Sequence, residues 1–321
     1  MMKKLFLFLC FVSGILFTAN SYASEPWTHR TSAQKPYPNS HFLIVDSIQF
    51  HYRTWNESLV HPKGKVVLIH GFCGSTFCFR RNYDTLIRSG YRVVAVDLPG
   101  FGYSDRNAKI NQSQSNRAKL IWGLLKQIDG DDTTKWNILG HSMGGGTAEA
   151  MALMDPRRTQ SLTLVDGMVF LHNTELTGAF VTMSKTEPMK KILVSLTEKG
   201  YLTYHNMKSK LKGAYGFIPD SSIVMGYLQP LLIEGTAESV VNILANAKEI
   251  RSLHADGLKK IPVLVIWGKK DRTIYPRTGK KLKRAIPSID LKIIPGAHHM
   301  PMETHTSVFN SYLVEFLNHN N

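Results

Sequence analysis

The chain has 321 residues, 43% of them apolar and 20% charged, with a formal net charge of +15. This composition supplies a sizeable core for one large or two small domains and excludes a mainly disordered or collagen-like chain. No run of about 20 apolar residues supports a multi-span membrane protein, and the basic excess comes without zinc-finger spacing, an RNA-binding motif or a basic tail, so no nucleic-acid partner is expected.

Residues 1–23 have the three parts of a secretory signal peptide: Lys3 and Lys4, an apolar run from Leu5 to Phe17, and a small-residue end at Ser21-Tyr22-Ala23. Cleavage after Ala23 is expected, giving a secreted or periplasmic protein; an uncleaved anchor is the alternative. Cleavage also removes Cys10 and leaves Cys73 and Cys78, either as a disulfide or as two buried thiols. Residues 24–40 carry Pro26, Pro36 and Pro38 and read as an irregular arm.

His41 to Trp55 alternates and is split at Asp46-Ser47, which predicts two antiparallel strands. Lys65–His70 is a buried strand, Thr76–Arg88 a helix and Tyr91–Asp97 another strand. Ala118, Ile121, Trp122, Leu125 and Ile128 follow helical spacing. Trp136–Gly140 is a strand, Met143–Met154 a helix and Ser161–Asp166 a strand. After a break, Pro262–Trp267 is a strand, Arg277–Ile286 a helix, Leu291–Pro295 a strand, and Val308 to Leu317 a closing helix. Apolar strands alternating with amphipathic helices predict an α/β fold: a mostly parallel sheet with helices on both faces. In the break, residues 168–258 read as an inserted all-helical cap rich in Met, Leu and Tyr. The core is then 41–167 with 259–321, and the cap lies over the carboxyl ends of the strands, where ligands bind in such sheets.

Gly140-His141-Ser142-Met143-Gly144 falls between a strand and a helix. A Gly-x-Ser-x-Gly turn there pushes the serine out at the top of the sheet as a nucleophile. A serine hydroxyl needs a base to take its proton. Asp271 and the pair His298-His299 follow later strands in the order such an arrangement requires. Asp166 rivals Asp271, and either histidine can be the base. An oxyanion hole is expected from the backbone N–H of Met143 and one from the turn His70-Gly71-Phe72-Cys73-Gly74, with Phe72 as the candidate. His70 and His141 read as structural.

Together with Asp97-Leu98-Pro99-Gly100-Phe101-Gly102-Tyr103-Ser104, these motifs resemble the α/β-hydrolase fold, its fold-1 branch with a helical cap, over roughly residues 41–318. The resemblance implies a catalytic triad of Ser142, Asp271 and His299. In that family the catalytic His follows Gly-x-Gly, often with Pro two places later. Here His298 stands in the second glycine's place and Pro301 follows His299 by two. Serine at the elbow excludes the haloalkane dehalogenases and epoxide hydrolases, which use Asp there. The leading expectation is an exported serine hydrolase of carboxylic esters, acting on a small-molecule or lipid ester through an acyl-enzyme. A carbon–carbon bond hydrolase, a lysophospholipase or lipase, or a ligand-binding protein that retains the triad are the alternatives. No cofactor or metal is expected. Seven lysines and two acids between Lys185 and Lys212, with Tyr201, Tyr204, Tyr215 and Phe217 among or beside them, suggest peripheral contact with an anionic membrane.

Overall fold

The computed structural model describes residues 35–106, 110–167, 186–245 and 255–321. The expected signal peptide, most of the arm and parts of the expected cap lie outside these residues.

Strands β1 (Ser40–Val45) and β2 (Ile48–Trp55) form an antiparallel hairpin. Asp46 and Ser47 turn it at φ 47° and 66°, the left-handed two-residue turn that matches strand twist. β2 pairs antiparallel with β4 (Tyr91–Val96). From β4 onward the sheet is parallel, through β3 (Gly64–Ile69), β5 (Trp136–His141), β6 (Thr159–Val165), β7 (Val263–Gly268) and β8 (Asp290–Ile294). The order is β1-β2-β4-β3-β5-β6-β7-β8. Val66 to Ile69, Val93 to Val96 and Val263 to Trp267 are buried without alternation, as both faces of a parallel sheet require. Each such side chain contributes about 1.5–3 kcal/mol by leaving water.

Helices α2 (Gln114–Asp129) and α3 (Met143–Met154) pack on each other. Trp122 Nε1 donates to the Met151 carbonyl at 3.1 Å. The closing helix α10 (Thr306–His319) packs on α1 (Tyr83–Arg88), β7 and β8. α8 (Arg277–Ala285) follows β7, and the short α9 (Pro301–Thr304) precedes α10. The helix expected over Thr76–Arg88 is broken. A 3₁₀ turn spans Thr76–Phe79 and α1 starts only at Tyr83. The break has a polar cause. Asp97 accepts from the Thr76 N–H, and Asn82 donates to the Met302 carbonyl and to Asn310, so this stretch serves other elements before it can continue as a helix.

Between β6 and β7 lie α4 (Glu187–Leu196), a π turn (Thr197–Tyr201), α5 (Tyr204–Tyr215), α6 (Ser221–Leu231) and α7 (Thr236–Ala245). Met207, Leu211 and Tyr215 of α5 are buried, as are Val224, Tyr227 and Leu228 of α6. Thr203 caps α5 by accepting from the Asn206 N–H. Among the described residues no helix is long and apolar enough to cross a membrane.

The strand order reverses around β3: the chain places β4 on one side of it and β5 on the other. The loops leaving β3 and β5 therefore diverge at their carboxyl ends and open a crevice. Both the elbow and the His70–Gly74 turn sit there.

Candidate active site

Ser142 follows β5 at φ 51° and ψ −119°, a conformation that costs a non-glycine residue about 1–3 kcal/mol. The neighbours enforce it. Ser142 N–H donates to Val165 O at 3.0 Å, and Gly145 N–H to Ser142 O at 2.9 Å. A Cβ on Gly140 would collide with the carbonyl of Gly144, and one on Gly144 with the carbonyls of Ile69 and His70. Only glycines let strand, turn and helix approach this closely.

His299 lies in the loop after β8. Its Nε2 is 3.0 Å from Ser142 Oγ and its Nδ1 2.8 Å from Asp271 Oδ2. Asp271, just past β7, is held by N–H donors from Thr273 (2.7 Å) and Ile274 (3.2 Å) to its Oδ1, which leaves Oδ2 for the imidazole. A carboxylate at Nδ1 keeps the proton there and leaves Nε2 as acceptor for the serine hydroxyl. All three side chains are buried. Such a relay can generate an alkoxide nucleophile and return the proton to a leaving group.

The structure therefore brings Ser142, Asp271 and His299 together and leaves His298 out. His298 is half-buried, its ring beside Gly216 at the end of α5. Asp166 is not the group on His299 Nδ1, yet it lies close: its Oδ1 accepts from Gly268 N–H at 2.9 Å. Among the described residues, Asp166, Asp271 and His299 are tight enough to hold a metal ion. Both imidazole nitrogens are already engaged within the relay, so the set reads as a proton network.

Met143 is the first residue of α3, where the backbone N–H has no helical acceptor. The turn carrying Phe72 reaches Ser142: a Cβ on Gly71 would lie 2.9 Å from Ser142 Cβ. His70 holds this turn. Its Nδ1 donates to Gly71 O at 2.7 Å and its Nε2 accepts from Leu98 N–H at 2.9 Å. Burial pushes its pKa down, so the ring stays neutral and keeps both bonds. His141 likewise donates Nε2–H to His299 O at 2.9 Å. Burial, then the nearby His299, push its pKa well down. Both are structural, as the sequence suggested. Cys73 and Cys78 are free, buried thiols, and burial pushes Cys73 up to about 12, far from a reactive thiolate.

Two charged residues near the site carried no sequence signal. Arg117 on α2 is buried, and among the described residues its guanidinium reaches Met143 Sδ, at 3.5 Å. Burial pushes its pKa down to about 10. Its Nε finds no acceptor among the described residues. Glu303 on α9 is buried against Arg80, Tyr215 and Tyr227.

The family model of the alpha/beta hydrolase fold matches residues 65–306. The 2-hydroxy-6-oxononadienedioate/2-hydroxy-6-oxononatrienedioate hydrolase of Burkholderia vietnamiensis is 30% identical over 90% of this chain and 97% of its own. YugF, an uncharacterised hydrolase of Bacillus subtilis, is 25% identical over 86% of this chain and 96% of its own. Among solved structures, a probable hydrolytic enzyme of Pseudomonas aeruginosa superposes with a TM-score of 0.71, at 23% identity, over 88% of this chain and 95% of that one.

Proposed function

Because this chain belongs to the alpha/beta hydrolase fold family, we propose that it is a serine hydrolase with Ser142 as nucleophile, His299 as general base and Asp271 as the acid that orients it. The observation that carries this reading is the continuous hydrogen-bonded path from Ser142 Oγ through His299 to Asp271. Ser142 Oγ attacks a carbonyl carbon as His299 Nε2 takes its proton. The Met143 and Phe72 N–H groups receive the developing oxyanion, an interaction that contributes about 3 kcal/mol or more per donor. His299 then protonates the leaving group, and water releases the acyl group from Ser142 with His299 again as base.

For the bond cleaved, we favour a carbon–carbon bond beside a ketone in an acid-bearing substrate over the simple ester that the sequence first suggests. The relatives' named reaction supports this, being that of a hydrolase of dioates. Arg117 supports it independently. Among the described residues Arg117 has no anionic partner; a buried cation left so costs several kcal/mol, and a substrate carboxylate would supply the partner. The same relay serves both reactions: one water adds hydroxyl to the acyl carbon and hydrogen to the carbon or oxygen that leaves. We also carry the export of a chain beginning at Ser24 as a proposal, which amino-terminal sequencing of the mature protein tests.

The deciding experiment offers the purified protein a 2-hydroxy-6-oxo-dienedioate, a graded series of neutral esters, a phospholipid and an aminoacyl amide. The dienedioate should have the highest kcat/KM, and Ser142→Ala should lower it by at least about 10³-fold. Arg117→Met should weaken turnover of the dioate more than that of a neutral ester. Turnover of esters alone would return the protein to the ester hydrolases. Activity surviving Ser142→Ala would remove the serine mechanism altogether.

A further inference from the structure

Asp166 closes β6 with φ 43°, a left-handed position that most side chains avoid, and it is fully buried. Its Oδ1 accepts from Gly268 N–H, while its Oδ2 receives no hydrogen bond from any N–H or O–H among the described residues. The carboxyl lies against Asp271 and His299. A carboxyl oxygen of Asp166, one of Asp271 and a ring nitrogen of His299 lie within 4.8 Å of one another. Two carboxylates this close in a dry site do not both carry charge.

We propose that Asp166 is a positioning residue of the triad, a protonated carboxylic acid that donates its O–H to Asp271 and becomes the reserve carboxylate when Asp271 is neutralised. The proton sits on Asp166 because Asp271 has the better anion site. Asp271 accepts two N–H groups and faces the imidazole, while Asp166 accepts one N–H. Burial, then the charge of Asp271, push the Asp166 carboxyl well above the ordinary range. From the loop after β7 it meets Asp271, and from the loop after β8 it meets His299. Lys269 and Lys270 of the β7 loop are exposed. A fourth donor on Asp271, beside the two N–H groups and the imidazole, fixes that carboxylate's rotamer. The added hydrogen bond holds Asp271 in place as the partner of the imidazolium, on which the proton taken from Ser142 stays. No covalent step is added: one proton is shared between two carboxyl groups.

The reserve role gives a measurable signature. In a serine triad without a second acid, changing the Asp to Asn lowers kcat about 10⁴-fold, because the imidazole adopts the wrong tautomer. Here Asp271→Asn presents its amide N–H₂ to Asp166. The amide oxygen stays on the Thr273 and Ile274 N–H groups, and Asp166, which then ionises, becomes the carboxylate that holds the proton on His299 Nδ1. Asp271→Asn should therefore lose only about 10- to 100-fold in kcat. Asp166→Asn keeps an N–H donor, suits the left-handed backbone, and should lose less than about tenfold. The double variant should fall the full 10⁴-fold or so, far beyond the product of the two single losses, with the change in kcat rather than KM. A 10⁴-fold loss from Asp271→Asn alone overturns the proposal without any change at Asp166. So does a double variant whose loss is the product of the singles. The inference rests on the serine-triad reading, whose own failure looks different: turnover that persists in Ser142→Ala.

Discussion

The sheet and the helices that interrupt it hold the site by different means. Ser142 directly follows β5 and Asp271 lies three residues past β7, and main-chain ladders hold both strands on both sides. The helices between residues 186 and 245 are joined to the site by a few polar latches. Arg106 donates to carbonyls of its own loop, to Pro230 O at 2.8 Å and to Thr236 Oγ1 at 3.0 Å. Glu303 joins Arg80 to Tyr215 and Tyr227. The His299 N–H donates to Ala214 O at 2.9 Å. Two of these latches end on the loop and short helix that carry the base. The difference teaches that the insertion is tied to the site through His299, while Ser142 and Asp271 answer to the sheet.

The sharpest way to test the sheet's side of this comparison is at the paired histidines. His299→Gln removes the ring between Ser142 and Asp271, and kcat should fall by about 10³-fold or more. His298→Gln touches only the end of α5 and should cost less than about threefold. Parallel kcat/KM measurements decide it. The reverse ranking would mean that the loop after β8 presents the other imidazole.

A middle-sized effect belongs to the latch. Burial of Glu303 raises its carboxyl pKa, and Arg80 and the two tyrosines pull it back. Glu303→Gln leaves Arg80 beside a neutral amide and takes a charged acceptor from Tyr215 and Tyr227. Breaking such a buried pair costs about 3–5 kcal/mol when a charge is left uncompensated. The expected result is a lower Tm and a kcat reduced about 5- to 50-fold. Arg106→Met breaks the other latch, remote from His299, and should lower Tm with a smaller loss of kcat. Equal losses of kcat from both would show that the insertion acts as one block and not through the base.

These differences also explain what could be read in advance. KVVLIH, YRVVAVD and PVLVIW are unbroken apolar runs bounded by turn residues, so β3, β4 and β7 were legible to within a residue or two. The elbow was legible because its glycines are demanded by sterics between strand and helix. His299, which lies between Ser142 and Asp271, was singled out only by its spacing to Pro301. Glu303 and Arg80 were not: they are far apart in sequence, and neither has a local reason to be buried. Arg117 sits on the buried face of an otherwise ordinary amphipathic helix, and a single charge does not alter the period. Asp166 was visible as a second strand-end acid. That it lies beside Asp271 depends on β6 and β7 being neighbours, which is a fact of sheet order rather than of sequence.

The smallest expected effect lies on the outer surface of the insertion, and it separates that region from the core most plainly. Ile192 and Leu196 on α4, Tyr204 on α5, and Phe217 and Ile218 just beyond α5 are exposed, although they are apolar or aromatic. Tyr204, Lys208 and Lys212 fall at i, i+4 and i+8, so they share a stripe along α5 that runs toward Phe217. Lys190 is engaged with Glu238 at 2.6 Å, and Lys210 lies over the Tyr201 ring at 4.0 Å, so they belong to the fold and not to this stripe. Lysines near an anionic lipid surface contribute about 1 kcal/mol each, and aromatic side chains favour the headgroup boundary. We therefore propose that this face makes peripheral contact with anionic membrane, independently of the bond the enzyme cleaves. Sedimentation with vesicles should show binding that requires anionic lipid and weakens as salt shortens the screening length, which is about 10 Å at 0.1 M. Lys208→Glu with Lys212→Glu should reduce the bound fraction several-fold. Their turnover of a soluble substrate should change far less, because neither lysine contacts the triad. Equal binding to neutral and anionic vesicles, or none to either, would make the stripe ordinary solvated surface. The insertion would then touch function only through the latches to His299.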